Sequence, residues 1–240
     1  MRHRVEVSVL VRSFNNAATI SAALSSALAQ NYPRQNYEII AVDDGSTDGT
    51  RELLRSFAPG VRVSLERHRG NVETAHTALA MARGKYFALL DADDTYEPDF
   101  LSEMTRALEG RPDAAFAYCD YYETRPNGTS TVTIDDKIIK LIACNCMFDR
   151  EIVVREGFWQ NDLLLPELSL AIELSRRYGV AYVQKPLYHY FRHDASLTHQ
   201  RGFVDKAFAQ LAKKYRILLR GRELDQLSID ECSAAIDCTE

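Results

Sequence analysis

The first hundred residues repeat a strict alternation of short apolar runs and amphipathic segments. The apolar runs are VEVSVLV, EIIAVDD, VRVSLE and YFALLD, which begin at residues 5, 38, 61 and 86. The segments between them, at 17–30, 47–57 and 71–82, have the apolar spacing of helices. Runs that are apolar on both faces and separated by helices are typical of a parallel sheet. We therefore predict an α/β fold, with a mostly parallel sheet covered by helices on both faces.

The second half of the chain has a weaker pattern. We predict helices at 97–109, 166–178 and 201–219, strands at 114–123 and 180–184, and a hairpin that returns through the turn at 125–130. Pro166 suits the first position of its helix. The last predicted helix has an apolar stripe flanked by lysines, which favours packing on the domain and leaves peripheral membrane contact as an alternative.

The composition limits the classes of partner and location. The 240 residues are 46% hydrophobic and carry a net charge of −5, which favours a folded domain and gives no indication of a nucleic-acid partner. The apolar run Val7–Val11 is too short for a signal peptide, and no stretch approaches the roughly 18 apolar residues of a membrane span. Five cysteines, an odd number, predict reduced thiols and a cytoplasmic protein.

Charged side chains follow the predicted strands at the points where they end. Asp91 and Asp93 form a D-x-D pair directly after the fourth apolar run. Ligands of such sheets bind at the carboxyl ends of the strands, and paired carboxylates suit a hard cation such as Mg²⁺ or Mn²⁺. Because Mg²⁺ completes its shell with water and substrate phosphates, a sparse aspartate site predicts a phosphate-bearing ligand. The alternative is an acidic turn that caps the helix starting near Glu97.

Three segments carry a resemblance to a known family. They are VSVLVRSFNNAATISAALSSALAQNYPRQNYEIIAVDDGSTDGT, RGNVETAHTALAMARGKYFALLDADD and, more weakly, YHYFRHDASLT. Together they resemble the inverting GT-A glycosyltransferases of family 2. The resemblance implies the Rossmann-like GT-A fold of nucleotide-diphospho-sugar transferases, as one domain over 1–220 followed by a tail at 221–240. Residues 1–100 would bind the nucleotide, 101–200 the acceptor, and 201–220 would form a C-terminal helix.

The resemblance also implies roles for the residues at the ends of the first two strands. Ser13, Phe14 and Asn15 would lie beside the nucleotide. Asp43 or Asp44 would accept a hydrogen bond from the base. Both could instead cap the next helix, for which we expect Ser46 as N-cap.

The resemblance places the remaining donor-binding residues around the D-x-D segment and near the end of the chain. Asp91 would face the ribose or the metal, beside Ala92. Asp93 would be the metal ligand, with Asp94 holding its shell. His193 and Ser196 match the family's H-x-x-S element, which approaches the diphosphate.

These residues together predict transfer of a sugar, with inversion, from a nucleoside diphosphate donor to a hydroxyl acceptor. A UDP-sugar is the favoured donor, and the acceptor would be a glycan, a lipid-linked sugar or a small hydroxyl compound in polysaccharide or glycoconjugate synthesis. Such chemistry would take place in the cytoplasm, with the inner face of the membrane as an alternative. We predict Glu167 as the general base, because it follows the apolar LLLP run at a helix start, with Asp162 as the other candidate.

Two rival functions follow from the same residues. FALLDADDT also fits the signature of haloacid-dehalogenase-type phosphatases, with Asp91 as nucleophile, although the acidic VDDGS lies upstream of it. A non-catalytic, glycosyltransferase-like binding domain is the other rival. It is favoured by departures from the family pattern at Ala75 and His76, at Pro166 and at the displaced arginine Arg192. A nucleotidyltransferase or dinucleotide dehydrogenase would need a glycine-rich loop after the first strand, and VRSFNNAAT has no glycine.

Overall fold

A computed structural model describes residues 5–134, 141–157, 163–193 and 202–215. The described strands are β1 (Val7–Ser13), β2 (Tyr37–Asp43), β3 (Arg62–Leu65), β4 (Tyr86–Asp91), β5 (Thr95–Tyr96), β6 (Ala114–Arg125), β7 (Gly128–Val132), β8 (Cys146–Asp149) and β9 (Gly179–Phe191). The described helices are α1 (Ile20–Leu28), α2 (Thr50–Ser56), α3 (Asn71–Met81), α4 (Phe100–Glu109), α5 (Arg150–Glu156), α6 (Pro166–Ser175) and α7 (Phe203–Tyr215).

One sheet joins all these strands, in the order β3-β2-β1-β4-β8-β6-β9-β5, with β7 paired to β6. From β3 to β4 the pairing is parallel, and the four strands alternate with α1, α2 and α3 along the chain as the sequence predicts. The predicted α/β class is confirmed. Beyond β4 the sheet is mixed, because β8 runs antiparallel to both β4 and β6.

The second half contains the predicted elements, one of them extended, and the structure adds three that the sequence did not predict, β5, β8 and α5. The hairpin is confirmed as β6 and β7, joined at Arg125 and Gly128. The predicted strand at 180–184 is the start of a longer strand, β9, which runs on to Phe191 and pairs in parallel with β6. This extension matters for function, because it brings the residues after β9 to the carboxyl end of β4.

The C-terminal helix α7 packs on the domain and contacts α6. Ala207 and Leu211 are buried, and the Nζ atom of Lys214 donates a hydrogen bond of 2.8 Å to Ser169 Oγ. This packing is the first of the two interpretations of the apolar stripe. Within the described part of the chain, no helix is both long enough and apolar enough to cross a membrane. The predicted division at residue 220 and the tail at 221–240 lie outside the described residues.

Candidate active site

The loop after β1 is tied to the loop after β2 by side-chain hydrogen bonds. Asn15 adopts a left-handed conformation, with φ of 56°, which asparagine tolerates better than most residues. Its backbone N–H donates to Ser46 Oγ at 2.8 Å, and its Oδ1 accepts from the Thr47 N–H at 2.9 Å. The short polar residues of both loops therefore hold the carboxyl ends of β1 and β2 in a fixed relation.

The two aspartates after β2 have different partners. Asp43 Oδ2 accepts hydrogen bonds from the N–H groups of Gly45 and Ser46 and from Arg51 Nε. Asp43 Oδ1 is buried without a hydrogen-bond partner among the described residues. Asp44 instead uses both oxygens on the next loop, accepting from the N–H groups of Arg69 and Gly70 at 2.7 and 3.0 Å. Asp44 therefore fixes the loop after β3, while Asp43 keeps one oxygen that is not hydrogen-bonded.

The predicted helix cap at Ser46 is wrong. Helix α2 begins at Thr50, with Gly49 at the N-cap position in a left-handed conformation. Asp48 Oδ1 accepts the hydrogen bond from the Thr50 N–H at 3.1 Å. Asp48 lies two residues from that amide and can close a local turn, which leaves the Ser46 hydroxyl to receive the Asn15 N–H.

An exposed aromatic pair lies beside these loops. The rings of Phe14 and His68 are stacked with centroids 4.5 Å apart and planes 28° apart. Phe14 is 45% exposed, which is unusual for a large apolar side chain next to a fully buried strand. Asp44 holds His68 in place, since His68 Nδ1 lies 2.9 Å from Asp44 Oδ2. Such a pair offers an aromatic face to a planar ring.

Arg12 is a buried arginine near the carboxyl end of β1, where it contacts Asp91. It is a direct neighbour of Asp91 in the register of β1 and β4, and its Nη2 atom donates a hydrogen bond to Asp91 Oδ1. Its Nη1 atom donates to Asn71 Oδ1, at the start of α3, at 2.9 Å. Burial opposes the charged form of Arg12, but Asp91, Cys144 and Glu167 together outweigh burial and raise the arginine pKa. Arg12 is therefore a fixed positive charge that orients Asp91.

Asp93 pairs with a residue one hundred positions along the chain. Its Oδ2 atom lies 2.9 Å from His193 Nε2, and both side chains are partly exposed. Burial raises the pKa of Asp93, and the nearby Asp91 carboxylate raises it further. A divalent cation would relieve this repulsion, and carboxylate oxygens suit Mg²⁺ or Mn²⁺. Among the described residues, no group of three or more His, Cys, Asp or Glu side chains is arranged to hold a metal.

Asp94 connects the D-x-D turn to β9 through hydrogen bonds. This buried residue accepts hydrogen bonds from the Tyr188 hydroxyl at 2.5 Å and from the Phe191 N–H at 2.8 Å. Burial raises its pKa well above the ordinary value, with Asp93 adding to the shift. Asp94 thus fastens the end of β9 to the D-x-D turn, while Ala92, also buried, is too small to obstruct the neighbouring carboxylates.

Glu167 lies at the first turn of α6, beside a small apolar pocket. The pocket is lined by Glu167 itself and by apolar side chains, Leu141, Ile142, Ala143, Cys146, Phe148, Leu168 and Ala171. Burial raises the pKa of Glu167 to about 7, against the opposing effects of its own backbone N–H and of Arg12. Asp91 also raises this pKa, so Glu167 lies within electrostatic range of both Arg12 and Asp91. A carboxylate with this pKa can accept a proton near neutral pH.

The structure thus assembles most of the predicted residues at one edge of the sheet. Ser13 and Asp43 are neighbours in the register of β1 and β2, at the same edge as Asp91. Two of the predicted residues, Ser196 and Asp162, lie outside the described residues. The role of Arg12 was missed, although a charged residue inside the buried run VSVLVRS indicates that a partner must be close.

Two cysteines separated by one residue, Cys144 and Cys146, are buried thiols. Cys144 and Cys146 are free, and burial raises the pKa of both well above the ordinary value. A raised thiol pKa disfavours the thiolate form that binds metal ions. Because both side chains are buried, we assign Cys144 and Cys146 to the core of the domain.

Sequence comparison gives relatives among bacterial glycosyltransferases. Residues 8–155 match the family described as Glycosyl transferase family 2. The chain is 32% identical over 118 residues to the UDP-Glc:alpha-D-GlcNAc-diphosphoundecaprenol beta-1,3-glucosyltransferase WfaP of Escherichia coli, covering 48% of this chain and 46% of that protein. For other curated relatives, the chain matches between 20% and 62% of the relative's own length.

Solved structures share the fold across almost the whole chain. The structure of S. aureus TarS in complex with UDP-GlcNAc superposes with a TM-score of 0.75 at 14% identity, covering 97% of this chain and 70% of that one. The mannosyltransferase PcManGT from Pyrobaculum calidifontis, in complex with GDP-Man and Mn²⁺, also gives 0.75, at 22% identity over 98% of this chain and 68% of that one. With its GT-A fold and its match over residues 8–155, the chain belongs to glycosyl transferase family 2.

Proposed function

We propose that this chain transfers a sugar, with inversion, from a nucleoside diphosphate sugar to a hydroxyl acceptor, in a reaction that depends on a divalent cation. The observation that carries the proposal is the meeting of two kinds of carboxylate at one sheet edge. Asp93 has the partly exposed position of a cation ligand. Glu167, within electrostatic range of the adjacent Asp91, has the pKa of a general base.

The nucleotide would lie over the ends of β1 and β2. The Phe14–His68 pair offers a face on which a base can stack, and the Asp43 Oδ1 atom is an acceptor without a hydrogen-bond partner among the described residues. Ser13 and Asn15 border the same place. The name of the Escherichia coli relative includes UDP-Glc, and one structural neighbour holds UDP-GlcNAc, which supports a UDP-sugar. Another neighbour holds GDP-Man, so a guanine donor is the alternative to test.

Asp93 would hold the cation, with Asp91 beside it. When bound, Mn²⁺ or Mg²⁺ would neutralise the negative charge of the departing diphosphate. His193, now on Asp93 Oδ2, would turn from that carboxylate to a phosphate oxygen, and Ser196 is proposed beside it. Arg12 stays on Asp91 from below and keeps that carboxylate oriented toward the ribose or the cation. Asp94 keeps β9 against this turn throughout.

Glu167 would remove the proton from the acceptor hydroxyl. The carboxylate form accepts the proton while the oxygen attacks the anomeric carbon from the face opposite the diphosphate, which inverts the configuration. The apolar pocket lowers the stability of the charged carboxylate, so proton transfer to it becomes more favourable. General-base help of this kind is worth roughly 10²–10⁴-fold in rate.

The acceptor would belong to polysaccharide or glycoconjugate synthesis. The Escherichia coli relative is named for a diphosphoundecaprenol-linked sugar, which supports a glycan or lipid-linked acceptor over a small hydroxyl compound. A lipid-linked acceptor would place the reaction at the cytoplasmic face of a membrane, and we include that location in the proposal.

A screen of nucleoside diphosphates by thermal shift tests the donor assignment. We expect UDP to raise the melting temperature in the presence of Mn²⁺ and to do so much less without it, because Asp93 and the phosphates share the cation. Ligand at 100 times its dissociation constant adds about 2.7 kcal/mol of stability, which such a scan resolves. No shift with any nucleoside diphosphate plus Mn²⁺ would contradict the proposed donor class, and release of phosphate from small phosphomonoesters would support the phosphatase rival.

Replacing Arg12 by methionine is expected to move the pH dependence of transfer. Arg12 lowers the pKa of Glu167, so its loss raises that pKa and the acidic limb of the rate profile moves to higher pH. The pH profile of transfer, measured with donor and acceptor saturating, gives this shift. Arg55→Met is the matched control, since Arg55 is exposed and pairs only with Glu52 on α2 among the described contacts. An unchanged limb in Arg12→Met would refute the coupling between the two residues.

A further inference from the structure

Three aromatic rings form a second stack on the opposite side of the D-x-D turn from Phe14. The rings of Tyr122 and His189 have centroids 4.7 Å apart and planes 27° apart, and those of His189 and Phe191 are 6.3 Å and 19° apart. Tyr122 and His189 are direct neighbours in the register of β6 and β9, and Phe191 follows two positions along β9. Because alternate residues of a strand point to the same side, the three rings share one face of the sheet.

This aromatic stack leads into the proposed active site. Phe191 donates its backbone N–H to Asp94 Oδ1, which fixes the exposed end of the stack beside the D-x-D turn. His193 follows two residues later and contacts Asp93. Phe191 is 37% exposed and, with Phe14, is one of two exposed phenylalanines in the described part of the chain. The two flank the same carboxylates from β1 and from β9.

Polar groups border the aromatic stack. His189 Nε2 lies 2.5 Å from Glu97 Oε1, and Glu97 is partly exposed. Thr95 is the neighbour of His189 across β5, and Thr124 is the neighbour of Phe191 across β6. Thr124 Oγ1 lies 3.0 Å from Thr129 Oγ1 on β7. The surface therefore combines a flat apolar ring with hydroxyl and carboxylate groups at its rim.

That combination matches the chemistry of a pyranose ring. A pyranose with equatorial hydroxyls has two faces of C–H groups and a polar edge. The C–H groups carry partial positive charge and pack on the negative face of an aromatic ring, while the edge hydroxyls need donors and acceptors. The Phe14–His68 pair, on the β1 side of the turn, is the place proposed above for the nucleobase.

We propose that the stack of Tyr122, His189 and Phe191 binds the terminal pyranose ring of the acceptor, with the ring on Phe191 and its hydroxyls toward Glu97 and Thr124. The proposal rests on the transferase function proposed above. It commits the acceptor to a sugar, free or lipid-linked, and places that sugar next to the D-x-D turn, where the donor's anomeric carbon would lie.

Saturation-transfer NMR with methyl β-D-glucopyranoside tests the site directly. With UDP and Mn²⁺ present, we expect saturation of the aromatic protons to reach the C–H protons of the sugar. Phe191→Ala removes the exposed face without touching the core, so the sugar should bind about fivefold more weakly, as expected for loss of one aromatic contact. UDP affinity, measured by calorimetry on the same samples, should stay within about twofold because Phe14 and Asp43 are unchanged.

Val154→Ala is the control, since Val154 is the most exposed large apolar side chain among the described residues, at 59%, and lies on α5. It should leave sugar binding unchanged. Octyl β-D-glucopyranoside distinguishes a lipid-linked sugar from a free one. If the octyl glycoside binds more tightly than the methyl glycoside, and still does so in Phe191→Ala, the acceptor is lipid-linked and its tail binds a surface other than Phe191. Equal affinity for the two glycosides indicates a free glycan.

Three results would overturn the acceptor site. The first is equal affinity of Phe191→Ala and the unaltered protein for the sugar. The second is a loss of cyclohexanol binding in Phe191→Ala as large as its loss of sugar binding, which would indicate a general apolar patch. The third is self-association that depends on Phe191, which would indicate an interface between copies. Failure of UDP to bind the unaltered protein would instead refute the proposed function, so the two failures are distinguishable.

Discussion

Glu167→Gln is expected to lower sugar transfer by at least about 100-fold, which is the lower end of what the loss of a general base costs. The affinity for the donor should stay within a few-fold of that of the unaltered protein. Glutamine keeps the size of the side chain beside the apolar pocket but cannot accept a proton. Donor binding is proposed to depend on Phe14 and Asp93, which this substitution leaves in place, and should not change. Single-turnover transfer together with calorimetry of UDP separates the two quantities.

The pH dependence gives an independent check on Glu167. Its pKa is raised to about 7, so the carboxylate fraction, and with it the rate, should rise as pH increases through about 7. This acidic limb should be absent in Glu167→Gln. A carboxyl whose pKa is raised by folding costs stability as pH rises from its unfolded pKa toward 7, so the glutamine variant should melt no lower than the unaltered protein at pH 8.

Two controls bear on this result. Glu173→Gln changes a partly exposed carboxyl on the same helix, where Glu173 pairs with Arg176, and should leave the rate and the limb unchanged. Asp162→Asn tests the other base candidate and should do much less than Glu167→Gln, because an aspartate of ordinary acidity is a poor base near neutral pH. The reverse ranking, or near-normal turnover in Glu167→Gln, would remove Glu167 from the mechanism and support the non-catalytic rival.

Asp93→Ala is expected to abolish the Mn²⁺-dependent part of nucleoside diphosphate binding while the fold survives. Asp93 lies after the end of β4, and its side chain contacts His193 rather than the core. Without this carboxylate the cation loses its proposed protein ligand, and the diphosphate then lies beside Asp91 with no cation between them. Calorimetry of UDP with and without Mn²⁺ measures the effect, and circular dichroism verifies the fold.

Asp113→Ala serves as the control for Asp93→Ala. Asp113 is an exposed aspartate that pairs with Arg111, so its loss should leave UDP binding and its Mn²⁺ dependence unchanged. If Asp93→Ala binds UDP with unaltered affinity and unaltered Mn²⁺ dependence, the cation belongs elsewhere and the assignment of Asp93 is wrong.

The parallel half of the fold could be predicted from sequence because its signals are local. A run such as VSVLVRS can be buried on both faces only in a sheet that is covered on both sides, and β1 is buried at every position. The residues of the loops after β1 and β2 could also be identified from sequence, because they directly follow these buried runs. The helix cap was not, because Ser46 and Asp48 are both short polar side chains and only the backbone path decides which one reaches the first free amide.

The sequence alone determined the α/β class and the order of β1 to β4 and α1 to α3, since each depends on residues close together in the chain. Only the tertiary structure decided which distant residues complete the site. Arg12 meets Asp91 through the register of β1 and β4, and His193 meets Asp93 because β9 continues past residue 184. Glu167 has a pKa near 7 because of burial, which no spacing reveals. Contacts between residues far apart in sequence depend on strand pairing and packing, so they appear only when the chain is folded.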